Sequence, residues 1–94
     1  MRVNGREKLQ DFISRHAQAK SPIQSWLREV EQANWQGTQD IKNCYRTASF
    51  LSDNRVVFNL GGNKFRLLVV VAYVNGVVLV KQVGTHAEYD KWKL

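Results

Sequence analysis

The chain has one cysteine, one proline and one methionine in 94 residues, and it is short of acids, with 8 Asp plus Glu against 14 Lys plus Arg. A lone cysteine, Cys44, forms no internal disulfide and supplies no thiolate set for structural zinc, which excludes disulfide scaffolds and zinc fingers. The longest apolar run, Leu67 to Val74, is far shorter than the ~20 residues a membrane helix needs. The N-terminal stretch has charge but lacks the apolar core of a signal peptide. These absences predict a soluble, cytoplasmic, reduced protein with no membrane partner. No internal repeat, low-complexity tract or Pro/Ser-rich linker divides the chain, and its length excludes a two-domain enzyme. Hydrophobic residues at 44% with 23% charged residues describe a folded domain rather than a disordered tail. A deep cofactor cavity would compete with so small a core for the same side chains, so an open surface site is expected.

The positive charge is uneven. Residues 1–40 hold six basic and five acidic side chains, and residues 41–94 hold eight and three. Such an excess draws in polyanions and favours phosphate contacts through counterion release. It is equally the surface of many basic proteins that bind no polyanion.

Hydrophobic periodicity separates a helical first part from a β-rich second part, with the change near Gln36-Gly37. Asn4 and Glu7 have capping-box spacing, and Leu9, Phe12, Ile13, His16 and Ala17 then recur at helical intervals, predicting a helix over residues 5–18. Ser21-Pro22 resembles a capped helix start. Ile23, Trp26, Leu27 and Val30 continue it as the stripe of a second helix over 22–34. The short connection Ala19-Lys20-Ser21 predicts a helical hairpin. One helical turn is expected at Gln39–Asn43. Strands are predicted at 49–51, 56–60, 65–73 and 77–83, with a short edge strand from Met1 to Val3. Their connections, Ser52-Asp53-Asn54, Gly61-Gly62-Asn63 and Asn75-Gly76, supply residues that tolerate positive φ. The expected fold class is α+β, ordered β-α-α-β-β-β-β and ending in a helical turn after Gly84. The helical hairpin packs on one face of a mainly antiparallel twisted sheet, and the other face is left for solvent or a ligand.

Two clusters carry chemistry. The first is Gly84-Thr85-His86-Ala87-Glu88-Tyr89-Asp90-Lys91, where His86, Tyr89 and Asp90 fall on one face of a helical turn. Histidine exchanges protons near neutral pH, and a phenol donates a hydrogen bond or stacks on a base. By local sequence alone this is equally a polar, capped C-terminal turn. His86-Ala87-Glu88 begins like a zinc deaminase signature, but no Pro-Cys-x-x-Cys follows, so that reading is rejected. The second cluster is the hairpin from Arg55 to Arg66, where Arg55 and Asn59 share a pleat face, as do Lys64 and Arg66. Arginine there presents a planar fork to a phosphate, or serves as edge charge that discourages strand pairing. Gly61-Gly62 lacks the Gly-Lys-Ser/Thr of a phosphate loop and marks a tight hairpin. Among the rest, His16 is expected as a half-buried packing residue and Cys44 as a buried small hydrophobe. Trp26 and Trp35 suit core or partner contacts, and Trp92 suits packing of the terminal turn onto the sheet. Tyr45-Arg46, entering the sheet, reaches a phosphate or merely packs; the sequence leaves both open.

Val56-Val57-Phe58-Asn59, Gly62-Asn63-Lys64, Phe65-Arg66-Leu67 and the closing Gly84 to Asp90 segment together resemble the HigB-type toxins of the RelE-like mRNA interferase group, over essentially the whole chain. The resemblance implies an endoribonuclease that cleaves mRNA in the ribosomal A site. It also implies a HigA-like helix-turn-helix antitoxin, with operator DNA bound only through the toxin–antitoxin complex. The implied cleavage is metal-free and needs no cofactor: the RNA's own 2′-hydroxyl attacks the adjacent phosphate. By this resemblance Arg66 serves the scissile phosphate and His86 serves proton transfer or phosphate binding. Tyr89 serves base stacking or proton transfer, and Asp90 orients or accepts a proton. Arg55, Lys64, Arg46 and Lys91 are expected RNA contacts, and Asn59 holds the RNA or the hairpin. The paired strand lysines of the RelE pattern are absent, so the acid and base roles remain interchangeable. The alternative from a different class is a non-catalytic module whose basic sheet face grips nucleic acid or a partner peptide.

Overall fold

The computed structural model describes all residues, Met1–Leu94. In chain order the elements are β1 (Arg2–Asn4), α1 (Arg6–Arg15), a 3₁₀ turn (Ala17–Ala19), α2 (Lys20–Gln32), α3 (Thr38–Cys44), β2 (Ser49–Phe50), β3 (Arg55–Leu60), β4 (Phe65–Ala72), β5 (Val77–Thr85) and α4 (His86–Tyr89). The strands form one sheet in the order β1-β5-β4-β3-β2; β1 runs parallel to β5 and every other pair is antiparallel. This is the expected α+β architecture, with β4 at the centre. The three connections between strands turn through positive φ at Asp53, Asn54, Gly61, Gly62, Asn63 and Gly76, the residue types that the left-handed region favours.

The core lies between the helices and one face of the sheet. Leu9 and Phe12 from α1 and Ile23, Trp26 and Val30 from α2 meet Val56, Phe58, Leu60, Phe65, Leu67, Val69, Val71, Val78 and Val80. Alternate residues of each strand reach this face because the pleat has a period of two. Each fully buried side chain of this kind stabilises the fold by about 1.5–3 kcal/mol. Aromatic edges set the layer: Trp26 meets Phe58 with centroids 5.5 Å apart, and Phe12 meets Phe65 at 5.7 Å, both edge-on.

The helix starts differ from the sequence expectation. Asn4 pairs with Leu79 in the sheet, so it does not cap α1; the cap position is Gly5, with φ 86° and no side-chain bond. A Cβ on Gly5 would stand 2.8 Å from the Val80 carbonyl oxygen, so the strand-to-helix corner closes only without a side chain. Nor does Ser21 cap the second helix. The 3₁₀ turn runs into α2 at Lys20, and Pro22 sits in the first turn, where its missing N–H removes no helix bond. Cys44, expected inside, is the exposed last residue of α3, while Ile41 is that helix's buried residue.

One irregularity sets the position of everything after it. Leu68 pairs with Gln82 but the next residue, Val69, pairs with Val80, leaving Lys81 as an extra residue in β5. Such a bulge reverses which face the following side chains occupy. Val78 and Val80 point into the core. Beyond the bulge Val83 packs against it as well, and Gly84 moves to the opposite face beside its cross-strand partner Arg66.

That opposite face is not the open surface expected. Val57 is 1% exposed, Leu68 7% and Arg66 8%, although these side chains point away from the helices. The chain following α4 meets this face at Gly84 and Arg55. A Cβ on Gly84 would stand 2.9 Å from Cζ2 of Trp92, and the Arg55 Nη1 donates to the carbonyl oxygen of Leu94 at 3.0 Å.

Candidate active site

Arg66 is the only buried charged or polar side chain of the protein. Strand pairing places it between Asn59 on β3 and Gly84 on β5. Its Nη1 donates to the carbonyl oxygens of Asn63, at 2.8 Å, and Phe65, at 3.4 Å. The Nε and Nη2 donors make no hydrogen bond, and no carboxylate lies within ion-pair distance. Tyr89 lays its ring over the guanidinium, with Cζ 5.3 Å from the ring centroid. A cation buried this deeply, held by one nitrogen and free at the others, is arranged to receive an anion.

The ring of Tyr89 is held by the short α4 turn. Thr85 Oγ1 accepts the Glu88 N–H at 3.2 Å and Glu88 Oε1 accepts the Thr85 N–H at 2.8 Å, a reciprocal capping box. The Thr85 backbone N–H, then the Thr85 hydroxyl and the nearby charges of His16 and Arg15, hold the Glu88 carboxyl below its usual range. Tyr89 meets Trp92 edge-on at 5.3 Å, and Trp92 rests where Gly84 has no side chain. The His86 N–H donates to the Lys64 carbonyl oxygen at 2.9 Å, which ties the start of α4 to the β3–β4 hairpin.

The structure brings some of the predicted residues together and leaves others apart. Arg66 and Tyr89 are in contact, and Asn59 stands beside Arg66 in the sheet. His86 and Asp90 share the α4 turn with Tyr89; His86 Nε2 and Asp90 Oδ2 are 3.9 Å apart and both side chains are exposed, too far for a hydrogen bond. Lys64 lies in the hairpin turn, outside β4, so it does not share Arg66's strand face; it is exposed, and only its backbone touches α4. Asn59 donates to the Thr47 carbonyl oxygen at 3.4 Å, holding the loop that carries exposed Arg46 against the hairpin. Lys91 is exposed just past α4. Arg55 stands apart. It is four residues along β3 from Asn59, about 13 Å at the usual strand rise, and it is engaged by Ser52 and Leu94.

Trp92 packs the terminal turn onto β5 at Gly84, as expected, but the close approach at Gly84 and the Thr85–Glu88 capping box were not singled out in the sequence. Two signals were available: glycine inside a strand marks a close approach, and Thr85-x-x-Glu88 has capping-box spacing. A cleft of about 400 Å³ lined by His16, Ala17, Gln18, Lys64, Phe65 and Thr85 was likewise unforeseen. It joins the end of α1 to the hairpin, a juxtaposition that no local pattern encodes. His16 is half-buried, as expected, with its ring stacked on Phe12 at 4.3 Å.

Residues 19–92 match the family of HigB toxins, described as the RelE-like toxic component of a toxin–antitoxin system. The mRNA interferase toxin HigB of Escherichia coli is 23% identical over 92 residues, covering 96% of this chain and 88% of that protein. The mRNA interferase HigB of Shigella flexneri matches to the same extent, 23% over 92 residues. The matched span holds the buried arginine, the capped terminal turn and the aromatic contact between them, and the chain belongs to the HigB toxin family, the RelE-like toxic components of toxin–antitoxin systems.

Proposed function

We propose that the protein is an mRNA interferase: an endoribonuclease that cuts mRNA in the ribosomal A site and so halts translation. The observation that carries this reading is the buried Arg66 guanidinium, free of any carboxylate and covered by Tyr89. Its unused Nε and Nη2 donors suit two oxygens of one phosphodiester. The nucleophile is the RNA's own 2′-hydroxyl. A base on the protein removes its proton, the 2′-oxygen bonds to phosphorus, and the bond to the 5′-oxygen breaks as an acid protonates that oxygen. The products are a 2′,3′-cyclic phosphate and a 5′-hydroxyl, and the reaction consumes no cofactor or metal. Arg66 stabilises the extra negative charge that develops at phosphorus. His86 and Asp90, exposed on one turn beside Tyr89, are the proton carriers, and substrate binding closes the distance between them. Tyr89 stacks on a base adjoining the cut or donates its phenolic proton. Lys64, Lys91 and Arg46 give diffuse attraction to the flanking phosphates, and Asn59 holds the hairpin. A HigA-like helix-turn-helix antitoxin silences the enzyme, and operator DNA is bound through that complex.

The test is translation of a defined mRNA on purified ribosomes with wild type, Arg66→Ala and His86→Ala. The expected result is wild-type cuts in the A-site codon ending in cyclic phosphate. Arg66→Ala should lose at least about 100-fold in rate, the usual worth of one well-placed donor to an oxyanion. Intact message on stalled or freely running ribosomes, with protein bound, would instead identify a non-catalytic binding module.

A further inference from the structure

The cleft between the end of α1 and the ends of β4 and β5 is not used by the cleavage chemistry. We infer that it receives a nucleobase of the same RNA strand, a near neighbour of the scissile phosphate, stacked on His16. This rests on the ribonuclease reading above and adds a specificity site to it.

Three observations support a base as the occupant. First, His16 is the outer layer of an aromatic column. Phe65 meets Phe12 edge-on at 5.7 Å, and Phe12 stacks on His16 at 4.3 Å with 30° between the rings. Phe12 is 1% and Phe65 6% exposed, so the column is anchored in the core and its last ring lines the cleft already oriented. A fixed ring loses little freedom when a base stacks on it, which is how proteins take hold of unpaired RNA. Second, the side chains of His16, Gln18 and Lys64 make no hydrogen bond within the protein, although they converge on one cleft of about 400 Å³. The amide of Gln18, with free donors and an acceptor, reads the edge of a base stacked on the imidazole, and the Lys64 ammonium suits the phosphate beside it. Third, the cleft adjoins the cutting site. Lys64, Phe65 and Thr85 line it, while Arg66 and His86 are the next residues along the chain. The His86 N–H bonded to the Lys64 carbonyl joins the two strand ends. Phe65 and Arg66 point to opposite faces, so a strand of RNA crossing these ends presents a phosphate to Arg66 and turns a base into the cleft behind it.

The experiment follows imidazole and phenol ring signals by NMR in the full chain. The probes are four fully 2′-O-methylated hexanucleotides of single base type, which cannot be cut because the nucleophile is blocked. His16 and Tyr89 signals should both shift, most strongly with one base type. His16→Ala should weaken that preferred hexamer about tenfold and level the four affinities, the loss of roughly one stacked base. His16→Phe, which keeps a ring, should retain most of the affinity, and thermal melts confirm that both variants fold. His16 signals that stay in place while those of Tyr89 move overturn the cleft and leave the phosphate site standing. Signals that move at neither residue overturn both. A His16→Ala variant with unchanged affinity and base preference also refutes the inference.

Discussion

Replacing Arg66 by methionine should stabilise the protein while abolishing cleavage. Arg66 as a whole residue is 8% exposed and its guanidinium has no carboxylate partner. Removing a charge from water to this depth costs several kcal/mol even after relaxation and water access are counted. What offsets it is smaller: the one short hydrogen bond, to Asn63, contributes about 1.5–3 kcal/mol, the long 3.4 Å bond to Phe65 adds little, and a cation over a ring contributes about 0.5–2 kcal/mol. Methionine keeps the apolar length beneath Tyr89, forfeits these contributions and escapes the larger cost. Of the two carbonyls left behind, that of Asn63 sits in an exposed turn and turns to water, and that of Phe65 loses only a long 3.4 Å bond. The balance favours the variant by about 1–2 kcal/mol, within the range seen when buried charges are replaced by apolar groups. In a domain of this size that raises the melting temperature by roughly 4–8 °C per kcal/mol. Calorimetry measures it directly. Sulfate adds a second reading, because an anion that binds the folded wild type raises its melting point beyond the general salting effect, and the variant lacks that increment. A melting point lowered by Arg66→Met would show that the guanidinium holds the fold together rather than waiting for a phosphate. Equal sulfate increments in the two proteins would refute the anion site.

Gly84→Ala forces a Cβ to within 2.9 Å of Trp92 and 3.2 Å of the Glu88 Cβ, so α4 must lift and carry Tyr89 off Arg66; cleavage should fall about 100-fold, the effect of an ångström of misplacement, with little change in the core's melting point. Tyr45→Phe removes the bond to Glu29 at 3.0 Å and should cost about 0.5–1.5 kcal/mol at neutral pH in denaturant titration. Burial, with Glu29 adding to it, raises the Tyr45 phenol well above its ordinary 10.0, so the stability it contributes is complete below pH 10.0 and drains away as pH rises toward the folded value. The alkaline decline in urea midpoint should therefore be shallower in Tyr45→Phe than in wild type. The Glu88 carboxyl is held below 4.5, chiefly by the Thr85 backbone N–H, so its anchoring of α4 is present above pH 4.5 and lost as pH falls further. The Tyr89 ring signal should move over that acid range in wild type and stay in place in Glu88→Gln.

The sequence made the fold legible wherever a local rule and the tertiary structure agree. The turns are the clearest case. Asp53-Asn54, Gly61-Gly62-Asn63 and Gly76 all adopt positive φ, and the strands they join follow in antiparallel order. The helical stripes were equally readable, since Leu9, Phe12, Ile23, Trp26 and Val30 are all buried. Prediction failed at the boundaries where two local preferences competed. Asn4 has the chemistry of a cap, yet its backbone bonds to β5 are part of a ladder that also buries Val3. A cap bond is one interaction, and the ladder brings several together with apolar burial. The same holds for Ser21, where continuity with the 3₁₀ turn buries Ala19 completely and outweighs a hydroxyl cap.

The candidate site was half legible for a related reason. Arg66 stood out as the polar exception in an apolar strand, and His86, Tyr89 and Asp90 fall on one turn by spacing alone. Nothing local brings the two clusters together. Strict alternation along β5 would put Gly84 on the same face as Val78 and Val80, among the helices and away from Arg66. The extra residue at Lys81 reverses that parity, so Gly84 lies beside Arg66 and leaves room for Trp92. Only then can α4 fold back and place Tyr89 over the guanidinium. The bulge also closes the face that alternation left open, which is why an arginine expected at the surface is buried. One inserted residue therefore both assembles the site and removes its cation from water, and the two effects cannot be separated in this fold.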